Sequence, residues 1–221
     1  KVFFTIIKKM ILKTKNILIT GAGKGIGRAC VNDFISKGGY VFALINQKKD
    51  NSKFKKHINL KIYNGNVNNQ KIINKIFEES KKINKPINCL VNNAGLRLRK
   101  NFLKIRKDEL RNVFETNFFS PLVIMQIFSK FLIKNKMKGS LINMTSIVGK
   151  IGFDGLTGYA SSKGALTSLT KSFAAEMSKY GINANNISPG FIKTSFYEKF
   201  KKDKKKLYNW TISRITQKRW G

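Results

Sequence analysis

Asn16-Ile-Leu-Ile-Thr-Gly-Ala-Gly-Lys-Gly-Ile-Gly27 opens apolar and β-branched, then breaks into glycines. Beyond the break, Ile26, Ala29, Cys30, Phe34 and Ile35 recur at helical spacing. The run therefore reads as a strand, a glycine turn and a helix. That context lets backbone N–H groups and a helix N-terminus approach a pyrophosphate. Gly21, Gly25 and Gly27 give G-x-x-x-G-x-G rather than the commoner G-x-G-x-x-G. Turns need glycine for steric reasons anyway, so the motif takes its weight from its place at the first strand–helix junction.

Outward from that junction the chain alternates. Strands are predicted at 16–20, 40–45, 60–63, 87–91, 139–145 and 182–188, and helices at 25–37, 68–82, 104–116, 120–134, 158–180 and 196–209. Alternation of this kind implies an α/β fold, a Rossmann-like three-layer, doubly wound parallel sheet covered by helices on both faces. With 221 residues, and neither repeat nor Pro/Gly/Ser linker, residues 10–221 read as one domain. Met10 is a candidate initiator, and residues 1–9 read as an upstream or dispensable extension. A targeting peptide is excluded by the short apolar core and the missing cleavage site.

Two further places carry chemistry. The predicted strand Tyr40–Ile45 ends in Asn46, Gln47, Lys48 and Lys49, with no carboxylate to accept from a free ribose 2′-hydroxyl. With Lys24 in the glycine turn, this basic end suits a 2′-phosphate, hence NADP before NAD. Downstream, Tyr159 and Lys163 are spaced to share one helix face, and Ser146 precedes them. A phenol titrates near ~10 when unperturbed. A cation about 5 Å away at an effective dielectric of ~20 contributes roughly 3 kcal/mol toward lowering that value. The pair reads as a proton donor for carbonyl reduction.

Together these motifs resemble the short-chain dehydrogenases/reductases. Thr20-Gly21-x-x-x-Gly25-x-Gly27 is similar to that family's cofactor turn, and Asn92-Asn93-Ala94-Gly95 to its sheet-steadying motif. Pro189-Gly190 followed by Thr194 is similar to its nicotinamide-holding segment, and the likeness runs from about Asn16 to Gly221. The resemblance implies a catalytic set of Asn117, Ser146, Tyr159 and Lys163. Tyr159 would move the proton, Ser146 orient the carbonyl oxygen, and Lys163 bind the nicotinamide ribose and lower the phenol pKa. Asn117 would hold a water leading to solvent. Cofactor contacts are implied at Gly21, Lys24, Gly25, Ile26, Gly27, Asn46, Asn66, Val67, Asn93, Gly95, Tyr159, Lys163, Pro189, Gly190, Ile192 and Thr194. The chain departs from the pattern in having Asn66-Val67 where the family places an aspartate. It also stops before the family's last helix and strand. The fold is therefore expected to lack its final strand, and the chain as given to be less stable and poorly oligomeric. A homodimer or homotetramer is implied for a complete chain.

Net charge is +33, yet lysine, asparagine and isoleucine are all abundant and no nucleic-acid module accompanies them. The charge reads as surface composition, not as a specific nucleic-acid site. Two clusters are better placed. Arg97, Arg99 and Lys100 follow the Asn-Asn-Ala-Gly motif, and Lys199, Lys201, Lys202, Lys204, Lys205 and Lys206 lie where the family has its substrate lid. Both would steer an anionic substrate. No stretch reads as a membrane span. Cys30 and Cys89 read as reduced, buried thiols of a cytoplasmic protein, and with one histidine they form no usual zinc set. The expected activity is ketone–alcohol interconversion on a 3-oxoacyl thioester or on a keto sugar acid. The latter is suggested by Trp210, Arg214 and Arg219-Trp220-Gly221, similar to gluconate 5-dehydrogenase-like members. A non-catalytic scaffold of the same fold, or an inactive fragment, is the contrasting class.

Overall fold

Continuous apolar runs, not alternating ones, mark strands that are covered on both faces. The computed structural model describes residues 11–47, 50, 54–194 and 197–221, without the side chain of Lys199. The extension at 1–9, Met10, Lys48 and Lys49 lie outside the described residues. In chain order come β1 (Asn16–Thr20), α1 (Gly25–Ser36), β2 (Tyr40–Ile45), β3 (Leu60–Asn64), α2 (Gln70–Lys82) and β4 (Cys89–Asn92). There follow α3 (Lys107–Phe114), α4 (Ser120–Lys134), β5 (Gly139–Met144), α5 (Thr157–Met177), β6 (Ile182–Ile187), α6 (Tyr197–Asp203) and α7 (Lys205–Arg214). All strand pairs are parallel, in the order β3-β2-β1-β4-β5-β6.

Successive strand side chains point to opposite faces. Leu18, Phe42, Leu90 and Leu141 pack into one layer with residues of α2, α4 and α5. Ile17, Ile19, Val41 and Ala43 pack into the other with Val31 of α1 and its neighbours. This is the expected three-layer α/β fold. From β1 the chain winds outward to β2 and β3, then returns to β4 on the other flank of β1. The crevice at the carboxyl ends of β1 and β4 is thus the switch point where such sheets hold ligands.

Two departures from the sequence-based spans shape the site. The helices expected at 104–116 and 120–134 form one rod, interrupted by a π turn at Glu115–Phe119. Pro121 has no N–H to give the Asn117 carbonyl one turn back, which loosens the ladder there. By length and composition, this Lys107–Lys134 rod could cross a bilayer. Its residues Ile124, Met125, Phe128 and Leu132 are instead buried in the sheet-facing core. The helix expected at 196–209 is split at Lys204, inside a run of like charges that disfavours a continuous helix. Cys30 and Cys89, expected to be buried, are half-buried free thiols.

Candidate active site

The glycine turn is built by close approach. Gly21 and Gly25 adopt φ of +62° and +53°, a region that glycine enters without steric cost. A Cβ on Gly27 would collide with the Gly21 carbonyl oxygen and with Asn93 Nδ2. Asn93 fastens the turn from across the switch point. Its Nδ2 donates to the carbonyls of Thr20 and Gly21 at 3.1 and 3.0 Å, and Thr20 Oγ1 accepts from the N–H groups of Asn93 and Ala94. The N-cap residue Lys24 gives α1 no side-chain cap, a start that suits an anionic ligand.

A cleft of about 690 Å³ lies over this turn. Its wall starts at Gly21, Lys24, Gly25 and Ile26, and passes Asn46 beyond β2 and Asn66 and Val67 beyond β3. It then crosses Asn93 and Gly95 and ends on Tyr159 and Thr194. Gly27 lies beneath the turn and not on the wall. One correction concerns the ribose end, read from sequence as free of carboxylates. Asp50, only 7% exposed, comes to this rim against Gly23, where a Cβ would lie 2.7 Å from its Oδ2. The signal was Gly23 itself, a glycine that the motif spacing does not require.

A second cavity, of about 290 Å³, opens beside the first. Ser146, Lys163, Pro189, Gly190 and Ile192 line it, and it shares Asn93, Gly95, Tyr159 and Thr194 with the cleft. The two spaces therefore meet at Tyr159, on the first turn of α5. Ser146, just past β5, lines the same cavity as the phenol and pulls its pKa down. Lys163 is 3% exposed and donates from Nζ to the Met144 carbonyl at 2.7 Å. Burial pushes its pKa down to about 8. The phenol is pushed up by burial, against opposing pulls from Ser146 and from the Arg97 charge. The lysine ammonium is turned to Met144 and stands 5.9 Å from the ring centre.

Asn117 lines neither cavity. Its Oδ1 accepts from Leu96 N at 2.7 Å, and its Nδ2 donates to Leu96 O and Ser162 Oγ at 2.8 and 3.0 Å. The side chain thus ties the π turn to the loop after β4 and to α5. Gly95 fits between it and Lys163, since a Cβ there would lie 3.4 Å from Asn117 Oδ1 and 3.6 Å from Lys163 Nζ.

Of the three basic residues expected near this edge, Arg97 and Arg99 reach the cavity. Lys100 turns away to Glu109 at 2.7 Å. The facing wall is made by Phe153, Phe191, Phe200 and Trp220, of which the sequence reading singles out only Trp220. Trp220 is 4% exposed, stacks on Phe191 and donates from Nε1 to Thr211 Oγ1 at 2.8 Å. Its neighbour Gly221 is stitched by backbone hydrogen bonds to Phe191 and Lys193.

Sheet, switch-point turn and cleft define a nucleotide-binding α/β protein. Comparison with known proteins narrows this, since residues 15–205 match the family model described as short chain dehydrogenase. The chain belongs to the short-chain dehydrogenase family and is an oxidoreductase. It is 30% identical to the 5-keto-D-gluconate 5-reductase of Escherichia coli K12 over 215 residues, 95% of this chain and 84% of that one. It is 31% identical to the 3-oxoacyl-[acyl-carrier-protein] reductase FabG of Buchnera aphidicola, again over 215 residues, 96% of this chain and 86% of that one. Among solved structures, ElxO with NADP bound superposes with a TM-score of 0.86 at 27% identity, covering 94% of this chain and 86% of that one.

Proposed function

We propose that residues 10–221 act as one catalytic domain that interconverts a ketone and a secondary alcohol with NADP(H), on an anionic substrate. The observation carrying this reading is the Tyr159 phenol at the junction of the glycine-turn cleft and the small cavity, with Ser146 on the wall of the latter. The start of α1, with no side-chain cap from Lys24, and the closely packed glycines of the turn fit a pyrophosphate. Lys24 favours a 2′-phosphate and Asp50 opposes it, so the preference for NADPH over NADH is expected to be modest. When bound, the nicotinamide supplies or takes up the hydride.

The protein's own part is placement and proton transfer. Ser146 holds the substrate oxygen toward Tyr159, and Tyr159 gives it the proton during reduction. Lys163, anchored on Met144, presents its remaining N–H groups to the cofactor ribose. Asn117 has spent its side chain on Leu96 and Ser162, so its main-chain carbonyl, opposite Pro121, is the group that holds water. Half-buried free thiols suit a cytoplasmic protein, and the exposed Phe119 on the central rod suits a dimer or tetramer.

A 3-oxoacyl thioester and a keto sugar acid both match the charge. The arginines and the small aromatic-walled cavity favour the sugar acid. The test is NADPH oxidation with an acetoacetyl thioester and with 5-ketogluconate. Tyr159→Phe is expected to lower kcat/KM by about 10²–10⁴-fold with NADPH affinity retained. An equally active Tyr159→Phe protein would overturn the assignment.

A further inference from the structure

We propose that Arg97 seats a carboxylate carried by the ketone substrate, in the small cavity that Arg97 lines together with Tyr159. The proposal rests on the reductase reading above and names the substrate class of that site. Among the described residues, the small cavity is lined by three cations, Arg97, Arg99 and Lys163, and by no carboxylate. Three like charges around about 290 Å³ favour an anion as occupant.

Each of the three is also engaged within the protein. Lys163 is committed to the Met144 carbonyl. Arg99 lies over the Phe153 ring at 5.6 Å and donates from Nη2 to the Asp154 carbonyl at 3.2 Å. Its stem is wedged against Gly155, where a Cβ would lie 3.3 Å from Arg99 Cγ. Arg97 follows Gly95 by two residues, keeps contact with solvent, and feels the charges of both Arg99 and Tyr159. A guanidinium so placed offers a planar fork of N–H donors that matches a carboxylate. An anion there also relieves the repulsion between the two arginines.

The consequence for Tyr159 has a definite sign. The groups facing it are Lys163 on its own helix, Ser146 beyond β5, and Arg97 and Arg99 beyond β4. Arg97 pulls the phenol pKa down, and a carboxylate on Arg97 cancels that pull. The phenol then holds its proton to higher pH, which is the form that ketone reduction uses. A neutral ketone leaves the pull in place.

The experiment compares the full chain with Arg97→Gln and Arg97→Lys, using 5-ketogluconate and its neutral counterpart L-sorbose, with NADPH, across pH. The expected result is at least a tenfold fall in the 5-ketogluconate to L-sorbose ratio of kcat/KM in Arg97→Gln, with partial recovery in Arg97→Lys. In the parent, the alkaline limb of kcat lies at higher pH with 5-ketogluconate than with L-sorbose. In Arg97→Gln that separation disappears. Calorimetry of gluconate binding to the NADP complex supplies a readout without turnover, and is expected to weaken at least tenfold in Arg97→Gln. Gluconate affinity and selectivity indifferent to Arg97 would overturn the proposal. Gluconate bound through Arg97, with no ketone reduced by the parent, would overturn the reductase reading and uphold the seat.

Discussion

Lys163 sets stability against chemistry within a single side chain. At 3% exposure its ammonium has lost most of its water, and it is hydrogen-bonded to the Met144 carbonyl. Burial accordingly pushes its pKa down to about 8, against about 10.4 for a lysine in an unfolded chain. Between those two values the unfolded chain binds more protons at this residue than the folded one, so stability contributed here rises with pH. Below about 8 the folded protein carries the full desolvation cost. Comparing the parent with Lys163→Met isolates this dependence, because the other titrating groups cancel in the difference. The parent is expected to gain unfolding free energy relative to Lys163→Met between pH 8 and pH 10, by about 1–3 kcal/mol. Urea unfolding of both proteins at several pH values measures it. A difference flat in pH would mean that the ammonium keeps an ordinary pKa.

Among the elements, α5 matters most, because it carries both Tyr159 and Lys163. A line of buried amides seats it on the sheet. Asn92 of β4 donates to Asn143 of β5 at 2.9 Å, and Asn143 donates to Thr170 of α5 at 2.8 Å. Asn143→Ala would strand the Asn92 amide where no water reaches and take the incoming donor from Thr170, whose hydroxyl keeps the Leu166 carbonyl. The expected cost is about 1–3 kcal/mol for the unpaired amide, read as a lower urea midpoint with unchanged slope. An unaltered midpoint would show that the line does not hold the helix. The sequence announced the central strands because runs such as Ile17 to Ile19 and Val41 to Ile45 are apolar throughout. It did not announce this line, whose members are 51 and 27 residues apart. The π turn escaped for another reason. Helical periodicity on either side of it is intact, and only Pro121, four residues after Asn117, marked the fault.

For the whole molecule, the division between what was legible and what was not follows the two cavities. The glycine turn and the Ser146, Tyr159 and Lys163 set are local patterns, and they were readable as such. The opposite wall is assembled from aromatic residues scattered through lysine-rich segments, where no spacing marks them. Its centre is Trp220, around which α6 and α7 are wrapped. The indole meets Phe191, Tyr197, Phe200 and Tyr208 at centroid distances of 5.1–5.7 Å and is hydrogen-bonded to the fully buried Thr211. None of these residues belongs to either sheet-facing core cluster. We expect α6 and α7, the segment the family resemblance reads as a lid, to behave as a cooperative unit of its own, joined to the small cavity by a hub that also lines it. Truncating a buried tryptophan costs about 3–5 kcal/mol, and here the loss falls on the lid and not on the sheet. In Trp220→Ala, amides of Tyr197–Asp203 and Lys205–Arg214 are expected to exchange at least tenfold faster, while those of β1 and α4 keep their protection. Substrate KM should rise with NADPH affinity nearly unchanged, because the cleft over the glycine turn does not include Trp220. Hydrogen exchange read by mass spectrometry decides it: acceleration spread evenly through sheet and lid would show that the lid has no separate stability and that Trp220 belongs to the global core.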